Sequence, residues 1–315
     1  MKLKGKSFLI TGGAGFIGSH LVDELIDENR ITVLDNLSTG QRDFIEHHLS
    51  NPNFKFIEAD LRDKNSLENL LKDIDVVFHL AGNPDVRLGN ENTQIPFENN
   101  LLATYNLLEA MRTNEVKNIV FSSTSAVYGV PSVMPTPENY GPMVPISFYA
   151  ASKMACEGLI CSYCHNYEMK TWIYRLANIV GSRSNHGVVV DFVNKIKNNS
   201  LEMEILGSGK QKKSYLHIKE CIKAMLFGYE NSNDNLNIFN IASEDSIDVT
   251  QIANIVTEIM GFKDTQYIFS KNTSDGGWAG DVPIMSLSIE KLKSLGWIPS
   301  VNSYQSIRMA VHSLL

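Results

Sequence analysis

A glycine-rich segment near the start of the chain restricts the possible fold more than any other feature. The apolar run "SFLIT" before it predicts a buried strand, and "FIGSHLVDELIDE" after it has the three- and four-residue apolar spacing of a helix. Gly12, Gly15 and Gly18 occupy the junction. In a dinucleotide-binding turn the first glycine allows the turn, the second admits the pyrophosphate and the third lets helix pack on strand. The segment therefore predicts a diphosphate bound at this helix N-terminus.

Strand-like and helix-like patterns alternate through the first half of the chain. After "SFLIT", the β-branched runs are "ITVLD", "FKFIEAD", "VVFHLAG" and "NIVFSS". This alternation predicts an α/β protein with a Rossmann-type doubly wound parallel sheet. Beyond about residue 180, helical patterns are separated by glycine and asparagine turns, which predicts a smaller lobe. We expect a nucleotide-binding domain over 1–177, to which a segment near 215–245 returns, and a discontinuous substrate-binding lobe over 178–315.

Charge and cysteine content exclude several classes of function. A formal net charge of −7 disfavours nucleic acid and anionic membranes as partners. The four cysteines are too few and too clustered for a disulfide framework, so a cytoplasmic location is expected. The "CSYC" pair lies in a helical pattern and has no second pair of ligands, so no metal site is predicted. No apolar stretch has the length of a membrane span.

Carboxylates at the ends of two strands refine the cofactor prediction. Asp35 ends the second strand, where a carboxylate reaches the ribose hydroxyls of the adenosine. It is followed by Asn36 and not by an arginine, and a carboxylate there repels a 2′-phosphate, so NAD is favoured over NADP. Asp60 ends the third strand, where it either receives the adenine amino group or caps the next helix.

A tyrosine four residues before a lysine in "YAASK" is the candidate catalytic pair. The same spacing recurs at Tyr215 and Tyr267, so spacing alone does not identify it. Only Tyr149 and Lys153 follow the fifth strand, which delivers Thr124 to the cofactor edge of the sheet. A free phenol ionises near ~10, and a neighbouring ammonium together with a positive nicotinamide ring should lower that pKa. The pair therefore predicts proton transfer coupled to hydride transfer at a carbinol.

With these motifs the chain resembles the extended short-chain dehydrogenase/reductase family, and within it the UDP-galactose 4-epimerase-like sugar-nucleotide epimerases. The matching segments are "TGGAGFIGSH", "DNLSTG", "HLAG", "SSTSAVYG", "YAASK", "RLANIVG", "SYLHI" and "GDVP". The resemblance implies catalytic roles for Thr124, Tyr149 and Lys153. The implied NAD contacts are Gly12, Gly15, Phe16, Ile17, Gly18, Asp35, Asn36, Ser38, Thr39, Gly40, Asp60, Leu61, Leu80, Ala81, Gly82, Asn99, Ser122, Tyr149 and Lys153. It also implies a homodimer built from helices near 97–113 and 149–165.

The implied reaction is inversion of a UDP-sugar at carbon 4. Tyr149 takes the proton of the 4-hydroxyl while hydride passes to NAD, and the 4-keto sugar turns over and accepts the hydride on its other face. The expected substrate contacts are Arg87, Ser123, Thr124, Tyr149, Asn178, Arg183, Lys213 and Met285. Where relatives carry diphosphate-binding arginines, this chain has Lys213 and Trp278, so the basic residue that holds the diphosphate is left open.

Two positions bear on the identity of the sugar. Met285 stands where a bulky aromatic restricts some family members to unmodified hexoses, and its pliable side chain predicts that both UDP-glucose and UDP-N-acetylglucosamine fit. Arg87 follows the fourth strand and is suited to recognise a carboxylate bidentately, which keeps UDP-glucuronate open as a substrate.

Two other functions fit the same fold. A sugar-nucleotide 4,6-dehydratase carries an Asp-Glu pair after the catalytic threonine, whereas this chain has Ser125 and Ala126. A regulator that only binds NAD would not need Thr124, Tyr149 and Lys153 together. Turnover of UDP-sugars separates the epimerase from the regulator.

Overall fold

The structure, a computed structural model, describes residues 3–67, 70–270 and 280–315. The chain divides into two compact units. The first unit comprises residues 1–127, 148–175 and 225–239, and the second comprises 128–147, 176–224 and 240–315. Among the described residues, no helix has both the length and the apolar character needed to cross a bilayer.

The strands and helices are numbered in chain order. The strands are β1 (Ser7–Thr11), β2 (Arg30–Asp35), β3 (Phe54–Glu58), β4 (Val76–His79), β5 (Asn118–Thr124), β6 (Lys170–Leu176), β7 (Asn178–Val180), β8 (Glu202–Ile205), β9 (Lys212–Lys213), β10 (Tyr215–His217), β11 (Leu236–Ile241), β12 (Ile247–Asp248), β13 (Gln266–Phe269) and β14 (Ile284–Met285). The helices are α1 (Phe16–Leu25), α2 (Val86–Glu91), α3 (Gln94–Pro96), α4 (Ala103–Thr113), α5 (Phe148–Tyr167), α6 (Val188–Asn198), α7 (Ile218–Asn231), α8 (Val249–Met260), α9 (Glu290–Leu295) and α10 (Ser303–Leu314).

A seven-stranded sheet with the order β11-β6-β5-β4-β1-β2-β3 forms the centre of the first unit. Strands β1 and β2, β2 and β3, β1 and β4, and β4 and β5 pair in parallel. Every residue of β1 and β4 is buried, as expected for strands covered on both faces. The order reverses at β1, which places the carboxyl ends of β1 and β4 at the position where such sheets bind ligands. The predicted Rossmann-type sheet is thus confirmed.

Helix α5 packs in the core of the first unit through a stripe of residues three and four apart. Its buried face includes Lys153, Cys156, Glu157 and Ile160. Cys156 and Ile160 join an apolar cluster with residues of β5 and α4, including Phe121 and Leu107. Lys153 and Glu157 are therefore charged residues on an otherwise packed face, where burial is costly without partners.

The second unit has its own apolar core and three small sheets. Helices α6, α8 and α10 contribute Phe192, Ile252 and Ile307 to this core, together with Met203 of β8. Strand β10 pairs in parallel with β7, β13 pairs in parallel with β8, and β9 lies between β12 and β14. Helices α8 and α10 both begin with a capping box. In each, the Asp or Asn side chain at the N-cap accepts from the main-chain N–H of a Gln three residues later, and the Gln side chain accepts from the main-chain N–H of the N-cap residue.

The structure differs from the sequence-based expectation in three places. Residues 128–147, expected in the first domain, belong to the second unit, where Thr136 forms a β-bridge with Leu287. Strand β6 and helix α10 were not expected, although "TWIYRL" is a buried run and "NSYQ" supplies a capping box. The helix expected near 97–113 begins with a π-helical turn over Phe97–Leu102. Such turns widen the helix and recur at functional sites.

Candidate active site

The glycine-rich turn has the shape that a diphosphate requires. Gly12 has φ +71°, and a Cβ there would lie 2.6 Å from the main-chain nitrogen of Ala81. A Cβ at Gly18 would lie 2.1 Å from the carbonyl oxygen of Gly12. Helix α1 starts at Phe16, and no side chain in the described part of the chain caps its N-terminus at Gly15. The main-chain N–H groups of the first turn, at Phe16 and Ile17, therefore suit an anion.

The carboxylate of Asp35 organises the segment that follows β2. One oxygen accepts a hydrogen bond from the main-chain N–H of Ala14 at 3.0 Å, and the other accepts one from Leu37 at 2.9 Å. Burial raises the pKa of Asp35, and these two main-chain donors oppose that rise. A Cβ at Gly40 would lie 2.9 Å from both oxygens, so the loop through Ser38 and Thr39 closes tightly on the carboxylate. This cradle fits the adenosine half of a dinucleotide.

Asp60 is held by side chains and not by a helix cap alone. Arg62 donates to both of its carboxylate oxygens, at 3.0 and 2.8 Å, and Asn36 donates to one of them at 2.8 Å. The bonds from Arg62 hold the pKa of Asp60 well below its usual range. Leu61, next in the chain, is buried in the core. Asp60 therefore remains ionised beside Asn36.

A buried histidine stabilises the end of β4, and sequence analysis did not single it out. The imidazole ring of His79 forms two hydrogen bonds. Its Nδ1 bonds the hydroxyl of Thr11 at 2.8 Å, and its Nε2 bonds that of Thr104 at 2.9 Å. Thr104 donates its own proton to the carbonyl of Asn100 at 2.6 Å, so it accepts from the histidine. Burial lowers the pKa of His79 to about 3, which keeps the ring neutral. Leu80 and Ala81 follow in the chain. The main-chain N–H of Leu80 donates to the carbonyl of Thr11, and that of Ala81 donates to the hydroxyl of Thr11.

The π-helical turn presents Asn100 to the loop after β4. Its amide oxygen accepts from the main-chain N–H of Asn83 at 2.7 Å, and its nitrogen donates to Ser152 at 2.9 Å. A Cβ at Gly82 would lie 3.0 Å from the same amide oxygen. The neighbouring Asn99, expected at the cofactor, donates to the carbonyl of Ile95 at 3.1 Å. Asn100 therefore links the loop after β4 to α5.

The first unit brings Thr124, Tyr149 and Lys153 together at the end of β5. Thr124 hydrogen-bonds the phenolic oxygen of Tyr149, and its own oxygen accepts from the main-chain N–H of Ala126 at 3.2 Å. The threonine proton is thereby directed to the phenol. Lys153 is 5% exposed, donates to the carbonyl of Ser122 at 2.9 Å and lies 4.6 Å from the ring centre of Phe121. The arrangement suits proton exchange between Tyr149 and a hydroxyl group of a ligand.

Burial dominates the ionisation of the pair. It raises the pKa of Tyr149 to about 12, although the bond from Thr124 opposes the rise. It lowers the pKa of Lys153 to about 8, against the effect of Cys156 and Glu157. The expected lowering of the tyrosine pKa is therefore not present in the protein by itself. The physical reason is that desolvation disfavours the phenolate while the ammonium is directed at Ser122.

Ser123 has a different environment from its neighbours in β5. Its hydroxyl donates to Glu157, which also pairs with Arg175 at 2.7 Å, and all three side chains are buried. Side chains alternate along a strand, so Ser123 lies on the opposite face from Ser122 and Thr124. This contact does not favour the predicted role of Ser123 in substrate binding. Glu157 and Arg175 were not predicted as partners; the sequence signal for Glu157 is a carboxylate one helical turn beyond Lys153, and Arg175 opens the segment "RLANIVG".

The residues expected at the substrate in the second unit lie on neighbouring small strands. Asn178 of β7 donates to the carbonyl of Ser214 at 3.2 Å, and Met285 of β14 is buried opposite Lys213 of β9. Lys213, one of the basic residues considered for the diphosphate, forms an ion pair with Asp281, which partly offsets its charge. Arg183 follows β7 with φ +63°. Trp278 lies outside the described residues.

Arg87, expected near the sugar, belongs to the first unit. It stands in the first turn of α2, where its main-chain N–H donates to the N-cap Asp85 at 2.9 Å. Its side chain is exposed. The position is compatible with recognition of a charged ligand but does not by itself identify one.

Comparison with known proteins places this geometry in context. Residues 8–242 match the model of the NAD dependent epimerase/dehydratase family. The chain is 36% identical to a putative UDP-glucose 4-epimerase of Methanocaldococcus jannaschii, over 96% of this chain and 97% of the relative.

Two solved structures are similar over nearly their whole length. A UDP-N-acetylglucosamine 4-epimerase from Methanobrevibacter ruminantium, in complex with UDP-N-acetylmuramic acid, is 31% identical, with a TM-score of 0.86 and coverage of 99% of this chain and 98% of that one. A UDP-glucuronic acid 4-epimerase from Bacillus cereus, in complex with UDP-glucuronic acid and NAD, is 26% identical, with a TM-score of 0.88 and 98% coverage of both. The resemblance inferred from the sequence motifs is confirmed.

Proposed function

The chain belongs to the NAD dependent epimerase/dehydratase family and is an NAD-dependent sugar-nucleotide epimerase, and from that premise we propose that it inverts carbon 4 of UDP-hexoses. The proposed substrates are UDP-glucose and UDP-galactose, together with UDP-N-acetylglucosamine and UDP-N-acetylgalactosamine. The observation that carries the proposal is the meeting of Thr124, Tyr149 and Lys153 at the carboxyl end of β5.

Each member of this group has a distinct role in the proposal. When bound, NAD accepts a hydride from the sugar and returns it. Tyr149 takes the proton of the 4-hydroxyl and gives it back, and Thr124 donates to the same phenolic oxygen and so favours the phenolate. Lys153 supplies a buried positive charge next to the carbonyl of Ser122. The glycine turn, Asp35 and the loop through Gly40 hold the cofactor.

The direct test is turnover. Purified protein is incubated with UDP-galactose, UDP-N-acetylglucosamine and UDP-glucuronate, and the 4-epimers are separated and quantified. We expect conversion of the first two without added NADH, because the cofactor is regenerated in each cycle. Absence of turnover on every UDP-hexose, with NAD still bound, contradicts the proposal and favours an NAD-binding regulator.

Met285 carries the proposed tolerance of N-acetyl groups. Its side chain is buried in β14 of the second unit, next to exposed Ile284. A Met285→Tyr variant adds bulk, and we expect it to lose turnover of UDP-N-acetylglucosamine while keeping that of UDP-glucose. The matched control is Met309→Tyr, because Met309 is an exposed residue of α10. Equal loss on both sugars means that Met285 only packs the second unit.

UDP-glucuronate is the second candidate substrate, and Arg87 is the observation that favours it. The guanidinium is exposed in the first turn of α2, and it is suited to a carboxylate on carbon 6. An Arg87→Ala variant should raise the Michaelis constant for the uronate and leave that for UDP-glucose unchanged. If the uronate is turned over and its Michaelis constant does not change in the variant, Arg87 makes no such contact.

We also propose a homodimer formed through the π-helical turn with α4 and through α5. Exposed aromatic side chains on these elements support it, namely Phe97, Tyr105 and Tyr167. Aromatic residues are enriched at interfaces. The molar mass from light scattering should be twice that of the 35.2 kDa chain, and Tyr105→Glu should lower it. A wild-type mass equal to one chain contradicts this part of the proposal.

A further inference from the structure

A cluster of three side chains that can bind a metal ion lies in the first unit, outside the proposed active site. Asp23 is in α1, and His47 and His48 form most of a short 3-10 turn over Glu46–His48. Both imidazole Nε2 atoms contact the same carboxylate oxygen of Asp23, at 3.0 Å from His47 and 2.7 Å from His48. The three ligating atoms all lie within 4.8 Å of one another.

We propose that Asp23, His47 and His48 bind a divalent transition-metal ion of the zinc type. In a tetrahedral zinc site with bonds of about 2.0–2.2 Å, two ligand atoms stand about 3.3 Å apart. The observed separations of 3.0 and 2.7 Å therefore need to widen by about 0.3 Å and about 0.6 Å. Metal entry replaces two Nε2–H bonds to one carboxylate oxygen with three bonds to a single ion, and the proton on each Nε2 moves to Nδ1 or is released to solvent.

The chemistry of the ligands selects the class of metal. Two imidazoles and one carboxylate suit zinc, cobalt or nickel, whereas magnesium and calcium prefer oxygen ligands alone. The side chain of His47 is 51% exposed and that of Asp23 is 32% exposed. The solvent-facing side of the cluster can therefore supply water as the fourth ligand.

The surrounding contacts hold the cluster in place before metal binds. The side chain of His48 is 12% exposed, and its ring packs on Phe54 with 5.6 Å between the centroids. The rings of His47 and His48 lie 3.9 Å apart. Little side-chain freedom is lost on binding for His48, which favours affinity.

The position of the cluster separates it from the chemistry of the active site. Asp23 lies seven residues after Phe16, about 10 Å along α1 from the glycine-rich turn. A bound ion would join α1 to the segment between β2 and β3. Sequence spacing does not reveal the site, because the third ligand stands 24 and 25 residues before the two histidines.

Zinc binding to the full chain tests the proposal. Isothermal titration with zinc chloride should give one equivalent per chain. Removal of a ligand in His48→Ala, or its conversion in Asp23→Asn, should weaken binding by at least about tenfold, since even an outer contact of a metal site contributes 10–100-fold. The matched control is His312→Ala, because His312 is an exposed residue of α10. It should bind zinc as the wild type does.

Two further measurements make the result unambiguous. Retention of NAD by each variant shows that its first unit is folded. If His48→Ala is unstable, Asp23→Asn replaces it as the test, because Asn has nearly the same side-chain volume as Asp. Cobalt should give a visible d–d spectrum that His48→Ala lacks. The proposal is overturned if zinc does not bind stoichiometrically, if the ligand variants bind it unchanged, or if binding is lost in Cys161→Ser and not in the histidine variants.

Discussion

The ammonium of Lys153 donates to the main-chain carbonyl of Ser122 at 2.9 Å in the interior of the first unit. A lysine on the buried face of α5 is thus directed to the end of β5, where the strand delivers Thr124. The bond fixes the position of the positive charge next to the proposed cofactor site. Burial at this position desolvates the ammonium, which lowers the pKa of Lys153 to about 8.

Replacing Lys153 with methionine should stabilise the NAD-free protein at neutral pH while abolishing turnover. The pKa of Lys153 is about 8 in the folded state and 10.5 in the unfolded chain, a difference worth about 3 kcal/mol below pH 8. Loss of the bond from this charged donor to Ser122 offsets about 1.5–3 kcal/mol of that gain, so the net gain is at most about 1.5 kcal/mol. Urea unfolding at pH 7 should therefore show a higher free energy of unfolding for Lys153→Met.

The pH dependence of the difference in free energy of unfolding between Lys153→Met and the wild type provides the control. Between about pH 8 and 10.5 the folded wild type releases the proton of Lys153, whereas the unfolded chain keeps it. The contribution of Lys153 to the free energy of unfolding therefore rises with pH in this window. The advantage of Lys153→Met should shrink over the same window. A constant difference from pH 7 to pH 10.5 contradicts the assigned pKa shift.

Tyr149→Phe should reduce kcat by about 10²–10⁴-fold, because the variant loses the group that exchanges a proton with the sugar. Bound NAD, measured by its release on denaturation, should be largely retained, because Tyr149 is one of many implied NAD contacts. The matched control is Tyr267→Phe, since Tyr267 has a lysine at the same spacing but bonds Asn254 in the second unit, at 2.9 Å. Similar losses in both variants mean that the hydroxyl of Tyr149 has no specific role in catalysis.

Gly18 and Gly158 both lie in helices, but they differ in the space available for a Cβ atom. A Cβ at Gly18 would lie 2.1 Å from the Gly12 carbonyl, so Gly18→Ala should destabilise by about 1–3 kcal/mol and weaken NAD retention. A Cβ at Gly158 in α5 meets no atom of the described residues within 4 Å. Gly158→Ala should stabilise by about 0.5–1 kcal/mol. Thermal melts of both variants, with and without NAD, test the pair, and equal shifts are inconsistent with the proposed close approach at Gly18.

The buried ion pair of Glu157 and Arg175 predicts a large effect from removal of one partner. Glu157→Gln removes a carboxylate partner of the buried guanidinium and should cost about 3–5 kcal/mol in urea unfolding. Replacing both residues with methionine should recover most of the loss. The exposed pair of Arg308 and Glu258 is the control, and Glu258→Gln should cost less than about 1 kcal/mol. A small effect of Glu157→Gln would show that the pair is hydrated.

The sequence by itself determined the features whose chemistry is local. The glycine spacing at residues 12–18 specifies a strand, a tight turn and a helix N-terminus, because backbone sterics act over a few residues. The Tyr149–Lys153 spacing places both residues on one turn of a helix, and the position of that helix after β5 distinguishes the pair from the repeats at Tyr215 and Tyr267.

Only the tertiary structure decided the partners of charged and polar groups that are distant in the chain. Lys213 pairs with Asp281, Glu157 with Arg175, and Asp23 with two histidines 24 and 25 residues away. Burial, which raises the pKa of Tyr149 and keeps His79 neutral, likewise depends on residues from several elements. Desolvation and ion pairing are set by the atoms that packing brings within a few ångströms, and local spacing does not encode them.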